Sequence, residues 1–305
     1  AYIRMSGRWA VPFFFISTGY FLHKKITEDN RIHFRSIERN VHMLISILVV
    51  SSLVFMVYSL IFHYKYYAND IKCILIGSYW HLWFIGSMIF GYIFIWYFYS
   101  MKRGNLLLPI SIIILISSIF ADSYDNFFGI SINYDELPKF FISVPFMYTG
   151  LLISKLKFSR NYLIIFIPVA LLGFLLQYVE MNMFFNIFNC PRNDHQILIG
   201  TVVMVIPLFI LSVNLKLDAN IFSTYGRKYS LFIYLYHLIG YKVISLLLWK
   251  IFQLDINNFL VLFAFVDFIF ITATAALLEK YVPFLFHLLN GNISQMGVKL
   301  KEQKL

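Results

Sequence analysis

The sequence predicts an all-α, polytopic bundle of transmembrane helices, and three observations predict it. The 305 residues are 60% hydrophobic and only 13% charged, with a mean hydropathy of +0.74. A soluble domain carries about 25% charged residues, so this excess of apolar surface needs lipid to cover it. The apolar residues also fall into nine runs, most near the length that crosses a bilayer. Finally, the charges sit between the runs, and Lys and Arg concentrate in every second gap.

The runs are 9–22, 41–62, 81–101, 106–120, 140–153, 161–179, 197–214, 229–249 and 259–278. The first opens behind Arg8 and carries Pro12 in its first turn, where a missing N–H costs little. Thr18, Gly19 and Tyr20 place small and polar groups inside it, which suits contact with other helices better than contact with lipid. The first and fifth runs are short, so they need tilt, local thinning or burial among neighbours. Lys242 and Asp267 lie inside the last two runs. Each charge alone is costly in a membrane, and their similar depth makes an ion pair between them the expected arrangement.

Charge sets the orientation. If 23–40 is cytoplasmic, so are 102–105, 154–160, 215–228 and 279–305. These segments hold 17 of the 25 Lys and Arg. The opposite segments hold seven: Arg4, Arg8, Lys65, Lys72, Lys139, Arg192 and Lys250. The positive-inside rule therefore puts the C-terminus in the cytoplasm. Trp9, Trp80, Trp83 and Trp249 fall near the outer face as an interfacial belt, and Trp96 near the inner one. The net charge of +10 thus reads as topology control and membrane-lipid contact, with no nucleic-acid partner. Cys73 and Cys190 both fall outside, where a disulfide would persist. No Cys/His or paired-carboxylate spacing suits a metal, and no bound cofactor is expected. The chain reads as one integral-membrane domain over 1–305. It begins at Ala1 as if a helix were already under way, so it is read as N-terminally truncated.

Some residues carry more than topology. His81 stands at the outer end of its run beside Trp80 and Trp83, where an imidazole can orient a hydroxyl or act as a base near neutral pH. His237 lies eight residues into its run, with Tyr234 and Tyr236 close by; an ionisable group at that depth is a functional candidate. Arg31, Arg35 and Arg39 recur at four-residue spacing on an inner loop, one face if helical, and guanidinium groups suit phosphates. An ordinary basic loop facing anionic lipid is the competing reading there.

Three segments resemble the acyltransferase 3 family, integral-membrane enzymes that acylate envelope glycans. Arg8-Trp9-Ala10-Val11-Pro12-Phe13-Phe14-Phe15 with Thr18-Gly19-Tyr20 resembles the family's second helix, Thr18 standing in a serine position. His81-Leu82-Trp83-Phe84 resembles the opening of a later helix. Ser230-Leu231-Phe232-Ile233-Tyr234-Leu235-Tyr236-His237 resembles a motif near the C-terminus. The resemblance implies ten core helices, of which the first, bearing the principal catalytic histidine, is absent here. It also implies acyl transfer from acetyl-CoA or another acyl-CoA to an envelope polysaccharide or lipid-linked sugar at a bacterial cytoplasmic membrane. On that basis His81, His237 and Arg8 are the catalytic candidates. Thr18, Tyr20, Trp83 and Tyr234 are candidates for the acceptor, and Arg31, Arg35 and Arg39 for acyl-CoA. The alternatives are a polytopic glycan transporter or flippase and an inactive acyltransferase fragment.

Overall fold

A computed structural model describes residues 7–62, 75–122, 124, 140–192, 195, 197–215, 218, 220–253 and 260–292. Among these, all regular structure is helical apart from one isolated bridge, Ile26 to Ile32. The helices are α1 (Ala10–Leu22), α2 (Phe34–Phe62), α3 (Trp83–Ser100), α4 (Leu107–Asp122), α5 (Ser143–Lys155), α6 (Arg160–Phe188), α7 (Ile199–Asn214), α8 (Ile221–Phe252), α9 (Leu260–Tyr281) and α10 (Pro283–Leu289). A helix occupies each of the nine apolar runs. Six helical segments are long and apolar enough to cross a membrane: Phe34–Phe62, Trp83–Ser100, Gly104–Ala121, Leu163–Phe188, Ser223–Lys250 and Val261–Tyr281. The remaining three runs form shorter helices, so a count of nine crossings exceeds what length and composition establish. Thirteen residues in α1 or α5 rise only about 20 Å, short of a hydrocarbon core of about 30 Å.

The helix surfaces are distributed as lipid demands. Ile164, Ile165, Leu171, Leu172, Leu175 and Val179 of α6 are exposed, while Gln177 and Glu180 of the same helix are buried. Water would select the reverse arrangement. In lipid, polar groups are satisfied inside and hydrocarbon faces out.

The chain gathers into two compact units. One comprises 1–41 and 83–216, the other 42–82 and 217–305. In the first, α1 and α5 pack backbone against backbone. A Cβ on Gly150 would fall on the Ile16 carbonyl oxygen and within 2.7 Å of the Tyr20 nitrogen, and one on Gly19 within 2.5 Å of the Met147 carbonyl carbon. Small residues thus replace side-chain interdigitation in this contact. In the same unit Glu180 of α6 accepts from the Gly200 N–H of α7 at 2.9 Å and from the Tyr124 hydroxyl. That carboxylate meets an otherwise orphan donor in the first turn of α7.

In the second unit α8 starts on a capping box, Asn220 Oδ1 accepting from Ser223 N at 2.9 Å. Tyr229 and Lys228 both reach Glu279 of α9, at 2.6 and 2.7 Å. The expected Lys242–Asp267 pair does not form. Lys242 Nζ lies 5.7 Å from the Phe62 ring centroid, and Asp267 is buried against Gly240, where a Cβ would approach its Oδ1 to 2.5 Å. Comparable depth on adjacent helices does not fix rotation about the helix axes, and here the two side chains emerge on different faces. Cys73 lies outside the described residues; Cys190 directs its Sγ at the Phe188 carbonyl, 3.9 Å away.

Candidate functional site

The site of the second unit is built on the turn ahead of α3. Gly77 takes φ +83°, in the left-handed region that favours glycine. Ser78 then clasps α2, its N–H reaching Ser52 Oγ at 3.3 Å and its hydroxyl donating to Ser52 O at 2.7 Å. Leu82 N–H closes the turn on Tyr79 O at 3.0 Å. Tyr79 stacks on Phe55 of α2, with centroids 4.7 Å apart and 25° between planes. These contacts aim His81 inward, where it is only 3% exposed.

There His81 meets α8. Its Nε2 donates to the Leu235 carbonyl oxygen at 3.0 Å, and the Tyr234 hydroxyl donates to the His81 carbonyl oxygen at 3.1 Å. This reciprocal pair joins two motifs that lie 153 and 154 residues apart. The His237 ring is edge-on to His81, with centroids 5.8 Å apart. Its Nδ1 donates to Tyr234 O at 2.8 Å. Tyr236, one residue from the pair, turns away and donates to Leu289 O at 3.0 Å.

The hydrogen bonds assign the protons. A carbonyl oxygen only accepts, so the proton of neutral His81 is on Nε2 and that of neutral His237 on Nδ1. The other nitrogen of each ring is then a bare lone pair. His81 Nδ1 is buried with no hydrogen-bond partner among the described residues. Phe55, Tyr79 and Trp80 surround the ring edge-on, at centroid distances of 4.8, 5.6 and 5.8 Å. The result is an unprotonated ring nitrogen in an aromatic wall, able to accept one hydrogen bond.

Other candidates lie in the first unit. Half-buried Arg8 stands in the turn before α1. An apolar groove of about 420 Å³ runs beside it, lined by Trp9, Ala10, Phe13, Phe14, Leu208 and Ser212. With one hydroxyl in its lining, that groove suits hydrocarbon and not a sugar. Thr18 spends its hydroxyl on the Phe14 carbonyl of its own helix at 2.9 Å, with Met88 Sδ 3.8 Å away. Tyr20 packs edge-on against Phe209 at 5.6 Å. Trp83 does the same against Phe15 at 6.4 Å. Sequence adjacency made Trp83 a neighbour of His81, but in the fold Trp80 is the tryptophan that flanks the imidazole.

Arg31, Arg35 and Arg39 are all exposed. The single helical face holds for two of them only. Arg31 precedes α2 in the turn pinned by the Ile26–Ile32 bridge, where its carbonyl accepts from Thr27 N at 2.8 Å. Arg35 and Arg39 occupy the first two turns of α2. Nearby in sequence, the turn after α1 holds His23, Lys24 and Lys25. Burial, and behind it the charge of Lys155, holds the His23 imidazole below its ordinary pKa. Burial likewise lowers the Lys25 ammonium. Residues 23–40 carry five Lys and Arg against three carboxylates, Glu28, Asp29 and Glu38, a modest basic excess.

A family model described as an acyltransferase domain matches residues 1–279. The chain belongs to the acyltransferase 3 family. No curated protein and no solved structure matches it. The match takes in both units of this acyltransferase and all three motifs, ending within α9. Two residues of the acyltransferase escaped the sequence reading. Trp80 was placed in the interfacial belt and beside His81, but not among the acceptor candidates. Glu180 was passed over, although a lone carboxylate in the apolar stretch Phe174–Phe185 was a signal that something there must satisfy it.

Proposed function

We propose that this membrane acyltransferase O-acylates a hydroxyl of a cell-envelope polysaccharide or lipid-linked sugar, with acetyl-CoA or another acyl-CoA as donor. One observation carries the reading: His81, fixed by α8 in the tautomer that leaves Nδ1 bare, presents a buried base to an incoming hydroxyl. As the hydroxyl oxygen bonds to the acyl carbon, its proton passes to His81 Nδ1 and the bond from that carbon to its carrier breaks. A base placed this way contributes about 10²- to 10⁴-fold. His237 is the second imidazole of the site, edge-on to His81 with ring centroids 5.8 Å apart. Arg35 and Arg39, with Arg31 ahead of them, hold the phosphates of the acyl-CoA.

The positive-inside pattern supports nine crossings, a cytoplasmic C-terminus and residence in a bacterial cytoplasmic membrane.

The test is radiolabelled acetyl-CoA supplied to inverted membrane vesicles that contain the full-length protein and the endogenous glycan. Label reaching glycan in the lumen is the expected result. Absence of label in the glycan, with export of the glycan lost when the protein is removed, would replace the acyltransferase reading by that of a transporter.

A further inference from the structure

We infer that the indole of Trp80 is the platform on which a pyranose ring of the acceptor stacks, presenting one hydroxyl to His81; this rests on the acyltransferase reading above. Trp80 is 52% exposed, yet it sits on a rigid base. Its ring is tilted 38° on Tyr79 at 6.3 Å, and Tyr79 is stacked on the fully buried Phe55. Tyr79 and Phe55 thus support the indole from one side, and half of its surface stays exposed. His81 stands edge-on to that indole, 70° between planes and 5.8 Å between centroids.

The two neighbours ask for different things. An indole face carries negative quadrupole density and attracts polarised C–H groups on an apolar surface. His81 Nδ1, buried and without a hydrogen-bond partner among the described residues, asks for an O–H donor. A pyranose offers both on one small rigid body: a face of axial C–H groups, and hydroxyls around its rim. An acyl chain offers no donor. A linear polyol offers hydroxyls but no flat apolar face. His81 itself is nearly inaccessible, and the half-exposed Trp80 edge-on to it is where a ligand first meets this part of the chain. The competing role is that of an interfacial anchor, which needs headgroups and no sugar.

Saturation-transfer NMR on the full-length protein in nanodiscs tests this without requiring turnover. Cellotetraose and maltotetraose are the probes, with sorbitol as the ring-free control. Saturation should reach the ring C–H protons of at least one tetrasaccharide and leave sorbitol dark. Trp80→Ala should lower that signal about five-fold or more, with Trp80→Phe in between, since about 1 kcal/mol of aromatic stacking is at stake. Melting temperature checks that each variant folds, which the exposure of Trp80 favours. Equal signals from wild type and Trp80→Ala, equal signals from sorbitol, or no ring signal from either sugar in the wild type would each overturn the inference. Its fate is separable from that of the proposed activity. If no acyl transfer occurs but the Trp80-dependent ring signal persists, the activity falls and the subsite stands. If transfer proceeds in Trp80→Ala with unchanged acceptor KM and ring signal, the subsite falls and the activity stands.

Discussion

Replacing His81 by glutamine separates the two jobs of this side chain. The amide nitrogen of glutamine can take the place of Nε2 and keep donating to Leu235 O, a bond now 3.0 Å long. The Tyr234 hydroxyl bonds to the backbone carbonyl of residue 81, so it is untouched by the change. What is lost is the bare Nδ1. The structural cost is then within about 1 kcal/mol, the scale of one net hydrogen bond. The catalytic cost is the whole of the base, about 10²- to 10⁴-fold, or roughly 3–5 kcal/mol of transition-state stabilisation. Alanine behaves differently. It removes the hydrogen bond and opens a cavity against Phe55, so about 2–4 kcal/mol of stability should go with the activity. The assay pairs acetyl transfer in vesicles with thermal unfolding of the same preparations. His81→Gln should be well folded and nearly inactive, and His81→Ala inactive and destabilised. A glutamine variant that keeps more than about a tenth of wild-type turnover would refute the argument that His81 is the base.

The remaining expectations concern the first unit, with one control, Gly226, in the second. Gly150→Ala drives a methyl into the Ile16 carbonyl, and helix backbones cannot yield as a side-chain tip does. It should cost several kcal/mol or prevent accumulation of the protein, read by fluorescence-detected gel filtration, whereas Gly226→Ala, with open space around it, should be neutral or slightly stabilising. Glu180→Gln should cost about 1–3 kcal/mol, because the amide turns a donor toward either Tyr124 or Gly200, and Glu180→Ala should cost more by adding a cavity; thermal unfolding ranks the two. Arg35→Ala should raise the KM for acyl-CoA about ten-fold or more while leaving the acceptor KM alone, as loss of one charge-assisted phosphate contact requires. An unchanged donor KM would assign that arginine to lipid.

The sequence shows where this chain is helical because hydrocarbon length is written in it directly. What it hid were helix ends. The apolar run beginning at 41 gave no sign that α2 starts at Phe34, since Arg35 and Arg39 on its first turns are polar and exposed. The run ending at 179 stopped at Glu180, a residue that continues α6 while facing the Gly200 N–H of another helix. Polarity reads as a boundary until its partner is known. The site was half legible in the same way. His81 and His237 stood out singly as ionisable groups in apolar surroundings. Their meeting was not visible, because the group that orients His81 is the carbonyl of Leu235, and any residue type has a carbonyl. Trp83 was favoured over Trp80 by motif, and only the turn at 79–82 distinguishes which indole stays with the imidazole. Lys242 and Asp267 show the limit from the other side: helix rotation was not in the pattern.

The bonds between His81 and α8 also set a clock on biosynthesis. Tyr234 and Leu235 follow His81 by 153 and 154 residues. At ribosomal speeds of about 5–20 residues per second, roughly 8–30 s pass between synthesis of the imidazole and synthesis of the carbonyl that fixes its proton. Through that interval 83–216, the rest of the first unit, is made and threaded. The nascent chain thus carries a histidine whose reactive nitrogen is not yet chosen. With His81 as the proposed base, that base is set only when the last helices arrive.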